Sequence, residues 1–308
     1  MPYPGRHVRA IARRVLGRSG GVLAEPDAVE INPAVLVEVN ESFGSLEAWS
    51  GWAASHPGVY DASEAATTAE RILQAGFQEP LTGRVVTPQE ISAPDANWRE
   101  GLAANGLNSR LRAVLALIAG ATAGQPVQEV RIFATEAVTP FALLMRGIFP
   151  RFLGAEYGFD ATAREALFPI PHQDLTALDL PSGRFDLVTT NEVLEHVPDL
   201  DAALREIARV LKPGGLHIGT HPFWFTRETG DVRAKLVDGQ VVHLKEPEYH
   251  GNPVDPDGGS LVFETPGWDI LRRARAAGFS EASMRFVASE SKGYITENTG
   301  VFVFCAQR

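Results

Sequence analysis

The chain has one cysteine in 308 residues, Cys305. An intramolecular disulfide and a cysteine-built zinc cluster are therefore excluded. A thiol inside the apolar run "GVFVFCAQR" reads as a buried, unreactive group on a strand. No apolar stretch reaches the ~18 residues of a spanning helix, so stable membrane insertion is not expected. Positive charge is scarce: 28 Lys and Arg against 38 Asp and Glu leave a net charge of −10. With no basic patch, that balance argues against a nucleic-acid partner, whose phosphates need many Lys and Arg contacts. The exception is the acid-free, arginine-rich opening "MPYPGRHVRAIARRVLGR". It reads as a solvated terminal helix or a contact with an anionic surface. No apolar run follows it, as a secretion signal would require, and the expected location is cytoplasmic.

What is present suffices for a full core: 44% of residues are hydrophobic and 21% charged. Residues 1–97 mix short helical patterns with turn signals and carry no readable motif. They are expected to form a mainly helical accessory region, a lid or a homodimer contact. Within them "DASEAATTAERILQAGF" reads as a helix, with Ile72 and Leu73 inward and Gly76 closing it. From Trp98 the pattern sharpens. Leu107, Leu111, Val114, Leu115 and Ile118 share one helical face. Strands and helices then alternate through "VRIFAT", "TPFALLMRGIF", "RFLGAEYG", "FDLVTTNEVL", "DLDAALREIARVLKPGG" and "LHIGTHPF". This alternation implies an α/β fold, a doubly wound, mostly parallel sheet with helices on both faces. "ASMRFVAS" and "GVFVFCAQR" close the chain with no helix between them and should pair antiparallel. Residues 223–262 interrupt the rhythm as an insertion on the substrate side. They include a hairpin candidate turned at Asp238–Gly239.

Glycine is missing at one telling place. "RIFATEAVTPFALL" has the pattern of a buried strand running into a helix, the junction that usually carries glycines in a nucleotide-binding sheet. Here Glu136 stands in the turn.

The block "FDLVTTNEVLEHVPDLDAALREIARVLKPGGLHIGTHPF" resembles the centre of class I S-adenosylmethionine (SAM)-dependent methyltransferases. The resemblance runs from Val130 to Phe223 and does not reach residues 1–97. It implies a seven-stranded Rossmann-like sheet with a reversed C-terminal hairpin, in a methyltransferase domain spanning 98–308. It also implies SAM as cofactor, with S-adenosylhomocysteine as product. Carried over residue by residue, the turn with Thr135, Glu136 and Thr139 lies beside the methionine part. Glu156, next to Tyr157, accepts from the ribose hydroxyls, and Asp174 and Leu175 meet the adenine. Asn191 and Glu192 sit under the sulfonium end. The pair Glu195–His196 reads as structural, at the start of a helix. No residue is assigned to a metal. The candidate bases are His221, His250 and Glu192, of which His221 is best placed, at the end of the fifth strand. The expected reaction is O-methylation of a small polar metabolite or glycan. N-methylation of a small molecule, and SAM binding without methylation, stay open as alternatives. A nicotinamide oxidoreductase is disfavoured by the missing G-x-G-x-x-G.

Overall fold

The computed structural model describes residues 38–59, 62–79, 83–94, 98–297 and 300–308. The arginine-rich opening lies outside the described residues.

Seven strands build the central sheet: β1 (Glu38–Phe43), β2 (Arg131–Ala134), β3 (Arg151–Gly154), β4 (Phe185–Thr189), β5 (Leu211–Gly219), β6 (Glu281–Ser289) and β7 (Val301–Gln307). Their order is β1-β6-β7-β5-β4-β2-β3. Pairing is parallel from β5 through β4 and β2 to β3. It is antiparallel at β5–β7, β7–β6 and β6–β1. Strand β7 thus runs against its neighbours between β5 and β6, the reversed C-terminal hairpin expected from the sequence.

Side-chain alternation assigns each face of the sheet to a different core. Phe133, Val188 and Phe304 point into one layer. Their chain neighbours Ile132, Leu187 and Val303 point into the other. The first layer is covered by α1 (Leu46–Ser55), α6 (Leu200–Val210) and α7 (Asp269–Ala276). The second is covered by α3 (Ser109–Ala121) and α4 (Pro140–Ile148). The remaining helices are α2 (Ala62–Ala75) and α5 (Ala161–Leu167). Helix starts follow local chemistry. Asn108, Thr139 and Asp199 each accept a backbone N–H three residues on, and Pro140 takes the first turn of α4, where its missing N–H costs nothing.

The seventh strand comes from the region read as accessory. Glu38–Phe43 pair with Met284–Ser289 along the sheet edge. Trp49 of α1 is 3% exposed. Its ring lies 5.1 Å from Phe43, 5.2 Å from Phe286 and 4.8 Å from Phe302. At the opposite edge, residues 168–175 join only through one parallel bridge, Glu156 to His172. The insertion holds the expected hairpin, 234–237 against 240–243, with Asp238 (φ 50°) and Gly239 (φ 77°) supplying the left-handed turn. Tyr249–His250 pair with Ser260–Leu261 further along it.

If β1 and α1 are integral to the fold, Trp49→Ala destabilises the whole protein by about 3–5 kcal/mol, the usual cost of deleting a buried tryptophan. Urea unfolding checks this. An unchanged midpoint would mean that residues 38–55 merely rest on the sheet.

Candidate cofactor and acceptor site

The turn after β2 manages without glycine because the glycine is next door. A Cβ on Gly154, at the end of β3, would lie 2.6 Å from the Glu136 carbonyl oxygen and 3.0 Å from the Ala137 Cα. The turn backbone therefore packs where only glycine leaves room. Glu136 is buried at 8% exposure. The Asn191 amide donates to its Oε1 at 2.6 Å, and the Thr139 hydroxyl donates to its Oε2. Burial pushes its carboxyl above the ordinary range, against those two hydrogen bonds. Thr139 also caps α4, accepting from Ala142 N at 3.1 Å. Glu136, Thr139 and Asn191 thus form one linked set across the ends of β2 and β4.

Glu156 meets the same turn. Its Oε1 accepts from Ala137 N at 2.7 Å and from Val138 N at 3.3 Å. Burial raises its carboxyl, opposed by the two amides. Asp174 accepts at Oδ1 from the backbone and hydroxyl of Thr176, at 2.8 and 2.7 Å, and so shapes its own turn. Leu175 is buried in the core layer, whereas Tyr157 is 53% exposed with its ring 5.5 Å from His172.

Glu192 lies between β4 and β5 with left-handed backbone, φ 54°. A non-glycine residue in that region is uncommon and collects at functional sites. Arg99 donates to its Oε2, and Arg110 Nη1 stands 3.5 Å from its Oε1. Arg110 also donates to Thr220 Oγ1 at 2.9 Å and to Glu100 Oε2 at 2.7 Å. Burial alone would raise the Glu192 carboxyl. The Arg110 and Arg99 guanidiniums outweigh it and hold the group at about 2. His221, 6% exposed at the end of β5, interacts electrostatically with Glu192. Its Nδ1 lies 2.8 Å from the Pro222 carbonyl oxygen, so Nδ1 must carry the proton. Nε2 is then a lone pair, buried and without a partner. Burial lowers the His221 pKa, which keeps the ring neutral.

His250 sits with Glu195 and His196, near enough to interact with Arg99, as Glu195 does with His221. Glu195 is fully buried, and neither of its carboxylate oxygens has a hydrogen-bond partner. Its Oε1 is 3.6 Å from His196 Nε2 and 3.6 Å from His250 Nδ1.

Buried polar atoms without partners gather at the carboxyl ends of the parallel strands. They include Thr135 Oγ1, Asn191 Oδ1 and His221 Nε2. Such groups are costly unless a ligand or water completes them. Two clefts lie at the opposite, amino ends. One is lined by Val130, Asp186 and Lys212, the other by Arg131, Arg151 and Phe185, and neither includes a candidate residue. Ligands of open α/β sheets bind at the carboxyl ends, and the unpartnered atoms lie there too.

Residues 155–219 match the methyltransferase domain family, a stretch that contains Glu156, Asp174, Leu175, Asn191 and Glu192. Over that stretch the chain carries a methyltransferase domain. The domain's cofactor is SAM. The chain is similar to the ubiquinone biosynthesis O-methyltransferase of Xanthomonas oryzae pv. oryzae, 62% identical over 34 residues, 11% of this chain and 14% of that protein. It is also similar to the demethylmenaquinone methyltransferase of Streptomyces avermitilis, 29% identical over 125 residues, 38% of this chain and 52% of that one. These matches span about half or less of the relatives' own lengths. Among solved structures it is similar to a SAM-bound amino pentose methyltransferase from Micromonospora echinaspora, at 19% identity and TM-score 0.41, over 66% of this chain and 92% of that one.

Sequence reasoning missed Arg99 and Arg110, which precede the methyltransferase motifs and carry no pattern of their own. It saw Glu195–His196 but had no signal that His250 joins them.

The Glu192 ion pairs carry a stability signature. A carboxyl held near 2, against an ordinary 4.5, contributes about 3 kcal/mol above pH 4.5, lost progressively as pH falls toward 2. Glu192→Gln should lower unfolding free energy by about 3 kcal/mol at pH 7. The gap to the parent protein should narrow as pH falls to 3. A gap independent of pH would refute the assignment.

Proposed function

We propose that this protein is a SAM-dependent O-methyltransferase acting on a small polar metabolite or glycan, in the cytoplasm. The observation that carries the reading is His221 Nε2, a buried, unprotonated and unpartnered nitrogen at the end of β5. The cofactor supplies a methyl group already activated as a sulfonium. A hydroxyl acceptor must lose its proton as it attacks, and a positioned base contributes roughly 10²–10⁴-fold. His221 is held ready as that base, because Nδ1–H is anchored on the Pro222 carbonyl and burial keeps the ring neutral. On this reading Glu156 accepts from the ribose hydroxyls, and Thr135 and Asn191 face the amino-acid end, with Glu136 and Thr139 holding Asn191. Asp174 and Leu175 take the adenine, with Tyr157 at the rim. Glu192 orders the acceptor side through its arginines. It is not the base, because its carboxyl is held far too acidic for one. The insertion, with Tyr249 exposed and Glu246, Glu248, Asp255 and Asp257 along it, suits a polyol or sugar surface. No helix among the described residues is long and apolar enough to cross a membrane.

The test is methyl transfer from labelled SAM into fractionated polar metabolites and envelope glycans. Label should enter an ether-linked methyl group. His221→Asn should cut turnover by about 10²–10⁴-fold with cofactor affinity kept. Because burial lowers the pKa, kcat/KM should rise with pH and level off below 6.5, the ordinary histidine value. Labelled product bonded through nitrogen, or full turnover in His221→Asn, would overturn the reading.

A further inference from the structure

Glu195, His196 and His250 come from two distant parts of the chain and converge on one point. Glu195 and His196 belong to the short turn of helix at Leu194–His196, ahead of α6. His250 belongs to the insertion, held by its pairing with Ser260–Leu261. One ligand-type atom from each lies within 4.8 Å of the other two. The two imidazole rings meet edge to face, with centroids 5.1 Å apart.

Both rings have their far nitrogen anchored. His196 Nδ1 lies 2.9 Å from the Leu261 carbonyl oxygen, which can only accept, so Nδ1 carries the proton and Nε2 presents a lone pair. His250 Nε2 lies 3.2 Å from the Glu248 carboxylate and donates to it, so that on a neutral ring Nδ1 presents the lone pair. The two lone pairs face Glu195 Oε1 at 3.6 Å each, too far for hydrogen bonds. With both rings neutral, three acceptors surround a point that holds no donor; Glu195 and Glu248 raise the His250 pKa, so a proton on Nδ1 is the cation with which a metal competes. The carboxylate among them is fully buried, with both oxygens unpartnered. A buried charge in that state is expensive unless a cation completes it. Histidine whose second nitrogen is tied to a carbonyl or carboxylate is the usual arrangement around a metal. An ion with bonds of about 2.1 Å sets its tetrahedral ligand atoms about 3.4 Å apart. The two 3.6 Å separations from Glu195 need only a small inward shift, and the two histidine nitrogens lie within 4.8 Å of each other.

We propose that Glu195, His196 and His250 bind a divalent first-row transition metal, manganese through zinc, in a two-histidine, one-carboxylate site. The imidazole pair favours these ions over calcium and magnesium. Three protein ligands leave positions open for an acceptor oxygen, as catalytic rather than structural sites do. The ion's chemical role rests on the O-methylation reading, whereas its binding does not. In that role the ion takes the acceptor hydroxyl as a ligand and makes it more acidic. The O–H proton passes to His221 Nε2, and the oxygen is left to attack the methyl group. The ion also ties the insertion to the core, since Phe263 N already donates to the Glu195 carbonyl oxygen at 2.8 Å.

The full-length protein, stripped with a chelator, should be titrated with Co²⁺, Mn²⁺, Zn²⁺ and Mg²⁺ without cofactor or acceptor. Calorimetry should show one transition ion per chain, Co²⁺ should develop visible ligand-field bands, and Mg²⁺ should bind more weakly. Glu248→Gln, which loosens an outer partner, should weaken binding by about 10–100-fold. His250→Ala, on the half-exposed insertion, should abolish the cobalt bands. Its melting temperature without metal, matched to the parent, shows that the fold is kept. No uptake of any ion, or equal uptake by His250→Ala, would overturn the proposal and leave a proton as the neutralising cation. Metal binding without methyl transfer would retain the site and reject the O-methylation reading. Methyl transfer unaffected by chelation, without metal uptake, would do the reverse.

Discussion

A buried carboxylate, Glu192, organises the carboxyl end of the sheet. It stands where β4 meets β5, and its backbone adopts a left-handed conformation to stay there. An isolated charge at that depth would be untenable. Arg99 and Arg110 make it stable, and both come from the segment leading into and forming α3. Arg110 further grips Thr220 and Glu100, so a single guanidinium spans three parts of the chain. The consequence is geometric. The turn at 191–193 and the end of β5 are held in one register, and His221 is fixed beside them. Replacing this network by apolar packing would cost little in stability. What would be lost is a polar, pre-oriented floor beside His221.

The glycine-poor turn after β2 follows the same logic of displaced roles. In a sheet of this kind, glycines let the turn backbone approach the cofactor closely. Here Gly154 makes the room from the neighbouring strand, and Glu136 is turned inward to hold Asn191. Ala137 and Val138 direct their amides at Glu156. The turn is therefore braced by side-chain and amide contacts rather than by its own flexibility. Glu136 serves as a brace for Asn191.

Much of the sheet was legible in the sequence because both of its core faces write a pattern into it. Ile132–Phe133 and Leu187–Val188 alternate between layers, and α6 repeats Leu200, Leu204, Ile207 and Ala208 on one face. The reversed pairing of β6 and β7 followed from the missing helix between them, and the hairpin from Asp238–Gly239. Strand β1 was not legible. "EVNESF" has only Phe43 buried, and an edge strand packed this lightly leaves no alternation to read. The candidate site was legible only where a motif fell on a strand end, as at Glu156 and Asn191. Arg99, Arg110 and the meeting of His250 with Glu195 and His196 depend on long-range packing, which leaves no local periodicity.

The proposed methyl transfer depends on a cofactor bound at the carboxyl end of β2 and β3. The most direct measurement is calorimetric titration of the full chain with S-adenosylhomocysteine, alongside Glu156→Ala. One molecule should bind per chain, and the variant should lose at least about 10-fold in affinity, or about 1.4 kcal/mol. Absence of binding to the parent chain, or equal affinity in Glu156→Ala, would contradict it.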